Sequence, residues 1–132
     1  MEARIIMKEL SQLATPGSKP IRSLQVFETP QGVNLVKFET NEFTSLCPKT
    51  GQPDFQKVII EYAPLRRCLE SKSLKTYLWT FRQEGAFCED LASIIAKDVF
   101  NKVKPKWVTV TIEQNPRGGI ALTARATEAK KK

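Results

Sequence analysis

Residues 106–124, KWVTVTIEQNPRGGIALTA, decide the fold, because apolar and polar residues alternate on both sides of one turn signal. Alternation with a period of two puts every second side chain on the same face of an extended strand. The apolar face holds Val108, Val110 and Ile112 before the turn and Ile120, Leu122 and Ala124 after it. The turn residues 115–119, NPRGG, favour a tight reversal. This stretch therefore predicts an antiparallel hairpin.

Two helical patterns precede the hairpin. Apolar residues at positions i, i+3, i+4 and i+7 form one stripe between Leu74 and Phe81, and apolar residues at i, i+3, i+4 and i+8 form a second between Leu91 and Val99. We expect Ser71 or Ser73 to cap the first helix and Gly85 to end it.

Further upstream the sequence favours strands. Residues 24–28 and 33–38 are expected to pair across a tight reversal at 30–32, and residues 57–62 form a β-branched strand. Residues 40–54 hold two prolines and a glycine, so we expect an ordered loop there. Strands, two helices and a hairpin in this order predict an α+β fold, an antiparallel sheet with two helices on one face.

The chain has 132 residues, which corresponds to one domain. We expect a flexible N-terminal lead-in at 1–20, the domain at 21–126 and a charged tail at 127–132. The net charge is +7, from 21 basic and 14 acidic residues, and three of the basic residues are the terminal lysines. A basic balance of this size suits anionic partners or simple solubility.

Composition excludes several kinds of site. The chain has no histidine, which excludes Ser-His-Asp and Cys-His catalysis and any zinc site that needs imidazole. Three widely spaced cysteines, Cys47, Cys68 and Cys88, favour neither a metal site nor a disulfide framework. No secretory or membrane-spanning apolar run is present, so we expect a cytoplasmic protein.

Cys47 lies in the polar, proline-rich stretch, where a packed core needs no thiol. Asp54 is expected to return close to the sulfur across the turn. A thiolate adds to an electrophilic carbon, and a nearby carboxyl group protonates the atom that becomes negative. A buried, inert cysteine and an aspartate bonded to its own turn remain alternatives.

The string Glu70-Ser71-Lys72-Ser73-Leu74-Lys75-Thr76-Tyr77 opens the first predicted helix. Lys72 and Lys75 are three residues apart and project from one side. Two ammonium groups beside the free N–H groups of a helix start suit phosphates. An ordinary solvated helix face fits the same spacing.

Phe87-Cys88-Glu89 opens the second predicted helix. An aromatic ring stacks on a flat heterocycle, and a carboxylate accepts paired N–H bonds from a guanine-like edge. A carboxylate at a helix start also fits simple dipole placement. Arg117 in the glycine-rich turn suits either a phosphate clamp or an exposed turn.

These strings, with Cys47-Pro48-Lys49-Thr50-Gly51-Gln52-Pro53-Asp54, occur together in one order. In order and spacing the chain resembles the QueF family, the NADPH-dependent 7-cyano-7-deazaguanine reductases, in its short single-module form. The likeness covers roughly residues 20–126. It implies a tunnelling fold (T-fold) and a homo-oligomer of rings, two stacked pentamers, with active sites between subunits.

The resemblance also implies the chemistry, which is reduction of the substrate nitrile to an aminomethyl group with NADPH in queuosine biosynthesis, a tRNA modification. It implies that Cys47 is the nucleophile that forms a thioimide and that Asp54 is the proton donor. It implies substrate-binding roles for Glu70, Ser71, Phe87, Cys88 and Glu89. It implies cofactor-binding roles for Lys72, Lys75 and Arg117, with no metal.

Cys88 stands where the family commonly has histidine, so we expect Asp54 and water to move the protons.

The main alternative is a QueF-like amidinotransferase that adds ammonia to the same nitrile in tRNA and so forms archaeosine. The lysine-rich tail would suit a tRNA substrate. Lys72 and Lys75 favour reduction over this alternative, because the amidinotransferase lacks the dinucleotide-binding string to which the two lysines belong. A non-catalytic RNA-binding module is a third reading, and a cyclohydrolase-like purine binder would lack its histidine zinc ligands.

Overall fold

The computed structural model describes residues 19–131, and the lead-in predicted at 1–20 falls outside this range except for its last two residues. The elements within the range are β1 (Val26–Glu28), β2 (Val36–Leu46), β3 (Pro53–Ala63), β4 (Arg67–Leu69), α1 (Ser71–Trp79), α2 (Cys88–Val103), β5 (Trp107–Arg117) and β6 (Ile120–Ala129).

A four-stranded antiparallel sheet in the order β2-β3-β5-β6 forms the body of the protein. Alternate residues of β3 and β5 point toward α1 and α2 and are buried against them. The largest fully buried side chains include Ile60, Tyr62, Tyr77, Phe81 and Ile95. Burial of this apolar layer drives folding, and the predicted α+β class with two helices on one face is confirmed.

Strand β1 pairs with β4, not with the strand that follows it. The predicted hairpin between residues 24–28 and 33–38 is therefore wrong. The turn itself forms, since Val33 N–H donates to the Pro30 carbonyl at 3.3 Å. Turn chemistry specifies a change of direction, whereas packing between distant segments decides which strands pair.

The loop predicted at residues 40–54 is also wrong over most of its length, because β2 runs through its first half and β3 begins at Pro53. A β-bulge after Thr40 breaks the alternation that identifies a strand, and then returns Phe43 and Ser45 to the buried face. Pro48 lies in the short loop and Pro53 is the first residue of its strand, so neither proline interrupts the ladder.

Glu70, rather than Ser71 or Ser73, caps α1. Its carboxylate accepts from Lys72 N–H at 2.9 Å and from Ser73 N–H at 2.7 Å. The Ser73 hydroxyl donates to the Glu70 carbonyl at 2.8 Å and accepts from the backbone of Gln25. Helix α1 ends at its ninth residue, well before Gly85, in a series of tight turns.

Strand β6 runs to Ala129, three residues into the stretch expected to be a charged tail. The Thr109 and Thr127 hydroxyls lie 3.1 Å apart across β5 and β6. Neither helix of residues 19–131 is long and apolar enough to cross a membrane.

Glu70→Ala is expected to lower the free energy of unfolding by about 1 kcal/mol, because two N–H groups at the helix start lose their acceptor. Ser71→Ala is the matched control, since it changes the neighbouring residue without removing the cap, and should stay within about 0.5 kcal/mol of the native protein. Urea denaturation at one protein concentration measures both. An equal loss in the two variants would contradict the assigned cap.

Candidate active site

The β2–β3 hairpin holds Cys47 in a tight six-residue loop. Cys47 N–H donates to the Gln52 carbonyl at 2.8 Å, and Gly51 N–H donates to the Cys47 carbonyl at 2.8 Å. Gly51 has φ +73°, a conformation that side chains disfavour. These bonds fix the backbone that carries the sulfur.

A second segment, residues 84–86, supports the loop from the side. Leu46 N–H donates to the Glu84 carbonyl at 2.8 Å, and Ala86 N–H donates back to the Leu46 carbonyl at 3.1 Å. A Cβ on Gly85 would lie 3.3 Å from the Pro48 Cα, so glycine permits this close approach. The same segment leads into α2 and so brings Phe87 to the loop.

The Cys47 sulfur is accessible and surrounded by hydrogen-bond donors. The Thr50 hydroxyl contributes most to lowering the pKa of this thiol to about 7, and the N–H groups of Thr50 and Lys49 follow. The Arg117 side chain makes the smallest contribution to this pKa. Donors that stabilise the thiolate lower the pKa, so Cys47 combines access with nucleophilic character.

Asp54 lies across the hairpin on the buried face. It pairs with Ser45 in the strand register and is only 4% exposed. Arg117 Nη1 lies 2.7 Å from Asp54 Oδ1, although no N–H bond in the described residues is aligned on that oxygen. Asp54 therefore lies in the strand that follows the Cys47 loop and contacts the Arg117 guanidinium, while its predicted approach to the Cys47 sulfur stays a prediction.

Polar side chains continue beneath Asp54 along the buried face. Gln56 Nε2 lies 3.4 Å from the Ser45 hydroxyl. The Gln114 amide oxygen faces the Arg117 guanidinium, because a guanidinium can only donate. This oxygen accepts from Arg117 Nη2 at 2.7 Å and from Nε at 3.1 Å. Sequence reasoning missed these residues. The pattern that could have found them is a polar residue at a core-facing position in each of β2, β3 and β5.

The start of α2 brings the other predicted substrate residues to this end of the sheet. Phe87 is 51% exposed and Glu89 is exposed. Cys88 is buried, and its thiol donates to the Ile112 carbonyl at 3.5 Å. Burial raises the pKa of Cys88 to about 11, with the charges of Glu89 and Asp54 acting in the same direction. Cys88 is therefore a neutral thiol near pH 7.

A cleft of about 680 Å³ opens between α1 and β2. Lys75 and Ser71 line it, whereas Lys72 is exposed outside the lining. Trp79 and Arg82 also line the cleft, with the guanidinium 5.8 Å from the indole centroid. Sequence reasoning missed both residues, although Ser71, Lys75 and Trp79 share the four-residue spacing of one helix face.

Two predicted site residues already contact other groups of the same chain. Glu70 uses both carboxylate oxygens to cap α1, and its substrate-binding role stays a prediction. Arg117, predicted to contact cofactor phosphates, contacts Asp54 and Gln114 instead, and its phosphate role likewise stays a prediction.

Comparisons with known proteins identify relatives of this chain. The chain is 45% identical over 123 residues to the NADPH-dependent 7-cyano-7-deazaguanine reductase of Syntrophus aciditrophicus, covering 90% of this chain and 88% of the relative. It is 46% identical over 118 residues to the protein of the same name from Frankia casuarinae, covering 89% and 94%.

A solved structure, the apo form of the archaeosine synthase QueF-Like, matches the fold with a TM-score of 0.70 at 25% identity, covering 80% of this chain and all of that one. The family described as QueF-like protein matches residues 53–132. On these matches and this fold, the chain belongs to the QueF family.

Proposed function

We propose that this protein is an NADPH-dependent nitrile reductase that converts 7-cyano-7-deazaguanine to its aminomethyl product, as a step of queuosine biosynthesis. The observation that carries the proposal is Cys47, a thiol of lowered pKa whose loop is fixed by backbone hydrogen bonds, in the hairpin whose second strand carries the buried Asp54. The names of the relatives supply the substrate and the cofactor.

Addition of the thiol makes the substrate nitrile easier to reduce. A nitrile carbon accepts hydride poorly, and sulfur addition converts it to a thioimide, whose C=N bond is protonated and reduced more easily. In the addition step a bond forms between the Cys47 sulfur and the nitrile carbon. The S–H proton passes to the Asp54 carboxylate and then to the nitrile nitrogen, so charge and protons balance.

Substrate recognition is assigned to the start of α2. The exposed Phe87 ring offers a face for stacking on the deazaguanine, and the Glu89 carboxylate offers acceptors for its paired N–H groups. Ser71 lies at the α1 end of the large cleft and can contribute to the wall of the base site.

The cleft between α1 and β2 fits a dinucleotide. Its volume lies in the range of small-molecule sites, Lys75 and Arg82 supply positive charge for phosphates, and Trp79 supplies a stacking surface. Lys72 extends this charge along the exposed side of α1. When bound, NADPH supplies the hydride for each of the reduction steps; the chain's own residues bind and orient the reactants.

Assembly into rings is part of the proposal. Strands β2 and β6 form the two edges of the four-stranded sheet, and both are long. A long unpaired edge is a template for pairing with another chain, so the β2 edge of one subunit can pair with the β6 edge of the next. We place the enzyme in the cytoplasm, where a thiol such as Cys47 stays reduced.

Archaeosine formation is the second candidate, since the archaeosine synthase QueF-Like shares the fold. That reaction needs ammonia and no hydride. The names of the more similar relatives favour reduction.

Cys47→Ala is expected to abolish the covalent adduct with 7-cyano-7-deazaguanine and the oxidation of NADPH, because no other accessible thiol is found in the described residues. Intact mass and absorbance at 340 nm are the measurements. Cys68→Ala is the control and should keep both signals. An adduct in the wild-type protein without NADPH oxidation would contradict the reductase and support the amidinotransferase.

Thr50→Val is expected to shift the pH dependence of adduct formation upward. The pKa of Cys47 is lowered, so the thiolate forms as pH rises through about 7. Removing the largest stabilising donor raises that pKa, and the midpoint should rise by about one pH unit. Thr123→Val, on the opposite sheet face, should leave the midpoint unchanged. An unchanged midpoint in Thr50→Val would refute the assigned donor.

Lys75→Ala is expected to raise the Michaelis constant for NADPH about tenfold and to leave that for the nitrile nearly unchanged, because a charge-assisted phosphate contact is lost. Steady-state kinetics at saturating concentrations of the second reactant measure both constants. Lys97→Ala, an exposed lysine of α2, is the control of equal charge change. Equal increases for the two reactants would count against a cofactor site in the cleft.

A further inference from the structure

Arg22 binds the segment that joins α1 to α2, residues 80–87, which we name the connector. Its Nε donates to the Thr80 hydroxyl at 2.5 Å, and its Nη2 pairs with the Glu84 carboxylate. The guanidinium carbon lies 3.8 Å from the centroid of the Phe81 ring, which is fully buried. One side chain from outside both helices therefore contacts the connector at three residues.

The backbone on either side of Arg22 is fixed to the body of the protein. Ile21 N–H donates to the Thr76 carbonyl of α1 at 3.3 Å. Leu24 is buried in the core, and Gln25 N–H donates to the Ser73 hydroxyl of α1 at 2.9 Å. Because Arg22 extends from a fixed segment, its contacts restrict the position of the connector.

The three contacts also fix the direction of the guanidinium. The Thr80 hydroxyl donates its own hydrogen to the Tyr77 carbonyl at 2.6 Å, so its oxygen is oriented to accept from Arg22. Among residues 19–131, Arg22 is the only cation within 4.0 Å of the Glu84 carboxylate. The two side chains are 38% and 48% exposed, and ion pairs this exposed contribute little to stability. Stacking on Phe81 and a rigid fork of donors instead specify where Glu84 lies.

Glu84 in turn fixes the end of the strand that carries the nucleophile. Leu46 N–H donates to the Glu84 carbonyl at 2.8 Å, and Ala86 N–H donates to the Leu46 carbonyl at 3.1 Å. Leu46 is the last residue of β2 and directly precedes Cys47. The residue whose carboxylate pairs with Arg22 therefore holds the Cys47 loop through its backbone.

The connector ends at the residues assigned to substrate recognition. Phe87 is its last residue, and Glu89 lies in the first turn of α2. The same short segment thus holds the loop of Cys47 on one side and leads into the recognition residues on the other. A base stacked on Phe87 and bound by Glu89 presents its nitrile to the sulfur only if the connector keeps these parts in register.

We propose that Arg22 is a positioning residue for nitrile addition, which sets the place of the Cys47 loop relative to the start of α2 by holding the connector. This role rests on the proposed nitrile reduction. Arg22 is assigned no proton transfer and no contact with the reactants, and it acts through Glu84. A misplacement of about 1 Å between reacting groups slows a reaction by up to about a hundredfold, so loosening the connector should reduce the rate of addition.

The test compares two reactions of Cys47 in Arg22→Gln, both followed by peptide mass at pH 7 without NADPH. Adduct formation at saturating 7-cyano-7-deazaguanine requires an aligned nitrile, whereas alkylation by iodoacetamide requires only an accessible thiolate. We expect the adduct to form about tenfold more slowly and the alkylation rate to stay within about twofold of the native protein. Arg66→Gln, the same substitution at an exposed arginine, should match the native protein in both reactions.

Two further variants identify the contact. Arg22→Lys keeps the charge but loses the fork, and should recover part of the adduct rate. Glu84→Gln removes the ion pair from the side of the connector and should also slow the adduct. The double variant should be no slower than Arg22→Gln alone, because both side chains act through one contact. Circular dichroism establishes folding, and Glu84→Gln keeps the test decisive if Arg22→Gln unfolds.

Amide hydrogen exchange measures the restriction without any substrate. Peptides spanning residues 43–48 and 82–88 should exchange faster in Arg22→Gln than in the native protein, and at the native rate in Arg66→Gln. A native adduct rate in folded Arg22→Gln would overturn the proposal. Equal slowing of adduct formation and alkylation would also overturn it, since the effect would then lie on the sulfur. Absence of adduct in the native protein would instead refute the proposed function, while the exchange measurement still tests the restriction of the connector by Arg22.

Discussion

The register between β2 and β3 is the constraint on which the site depends. Ser45 pairs with Asp54 and Leu46 pairs with Pro53, so six residues remain for the loop that carries Cys47. Side chains alternate between faces, and a slip of one residue would move Asp54 to the opposite face of the sheet. The register is held by the apolar residues of both strands that pack against the helices, so the hydrophobic core positions Cys47 and Asp54 as well as stabilising the fold.

Two β-bulges then place side chains that would point to the opposite face in a regular sheet. The bulge after Thr40 returns Phe43 to the core, and the bulge after Gln114 turns Arg117 toward Asp54. Bulges re-aim side chains locally while the rest of the ladder stays paired. Both lie toward the end of the sheet where the β2–β3 and β5–β6 hairpins turn. The glycines at 118 and 119, with φ +59° and +79°, close the second hairpin directly after Arg117.

Regular periodicity made much of this structure predictable, and local irregularity made the rest unpredictable. The helix stripe from Leu74 to Phe81 and the alternation from Val108 to Ile112 each report burial directly, so sequence reasoning located both helices and the last hairpin. The bulge in β2 breaks the alternation, and the pairing of β1 with β4 depends on contacts distant in sequence. The site residues came from short strings, whereas the contact between Arg117 and Asp54 depends on a one-residue shift that no string records.

The absence of histidine explains why this contact matters. Imidazole can accept a proton and become a cation near neutral pH, whereas Cys88 is a buried thiol whose pKa is raised and which carries no positive charge. Cys47, Asp54 and Glu89 are all groups that become anions. A buried carboxylate such as Asp54 needs a cationic partner, and arginine is the side chain that never gives up its proton. In this chain the cation, Arg117, comes from the opposite hairpin, so the ion pair with Asp54 depends on the two hairpins meeting at one end of the sheet.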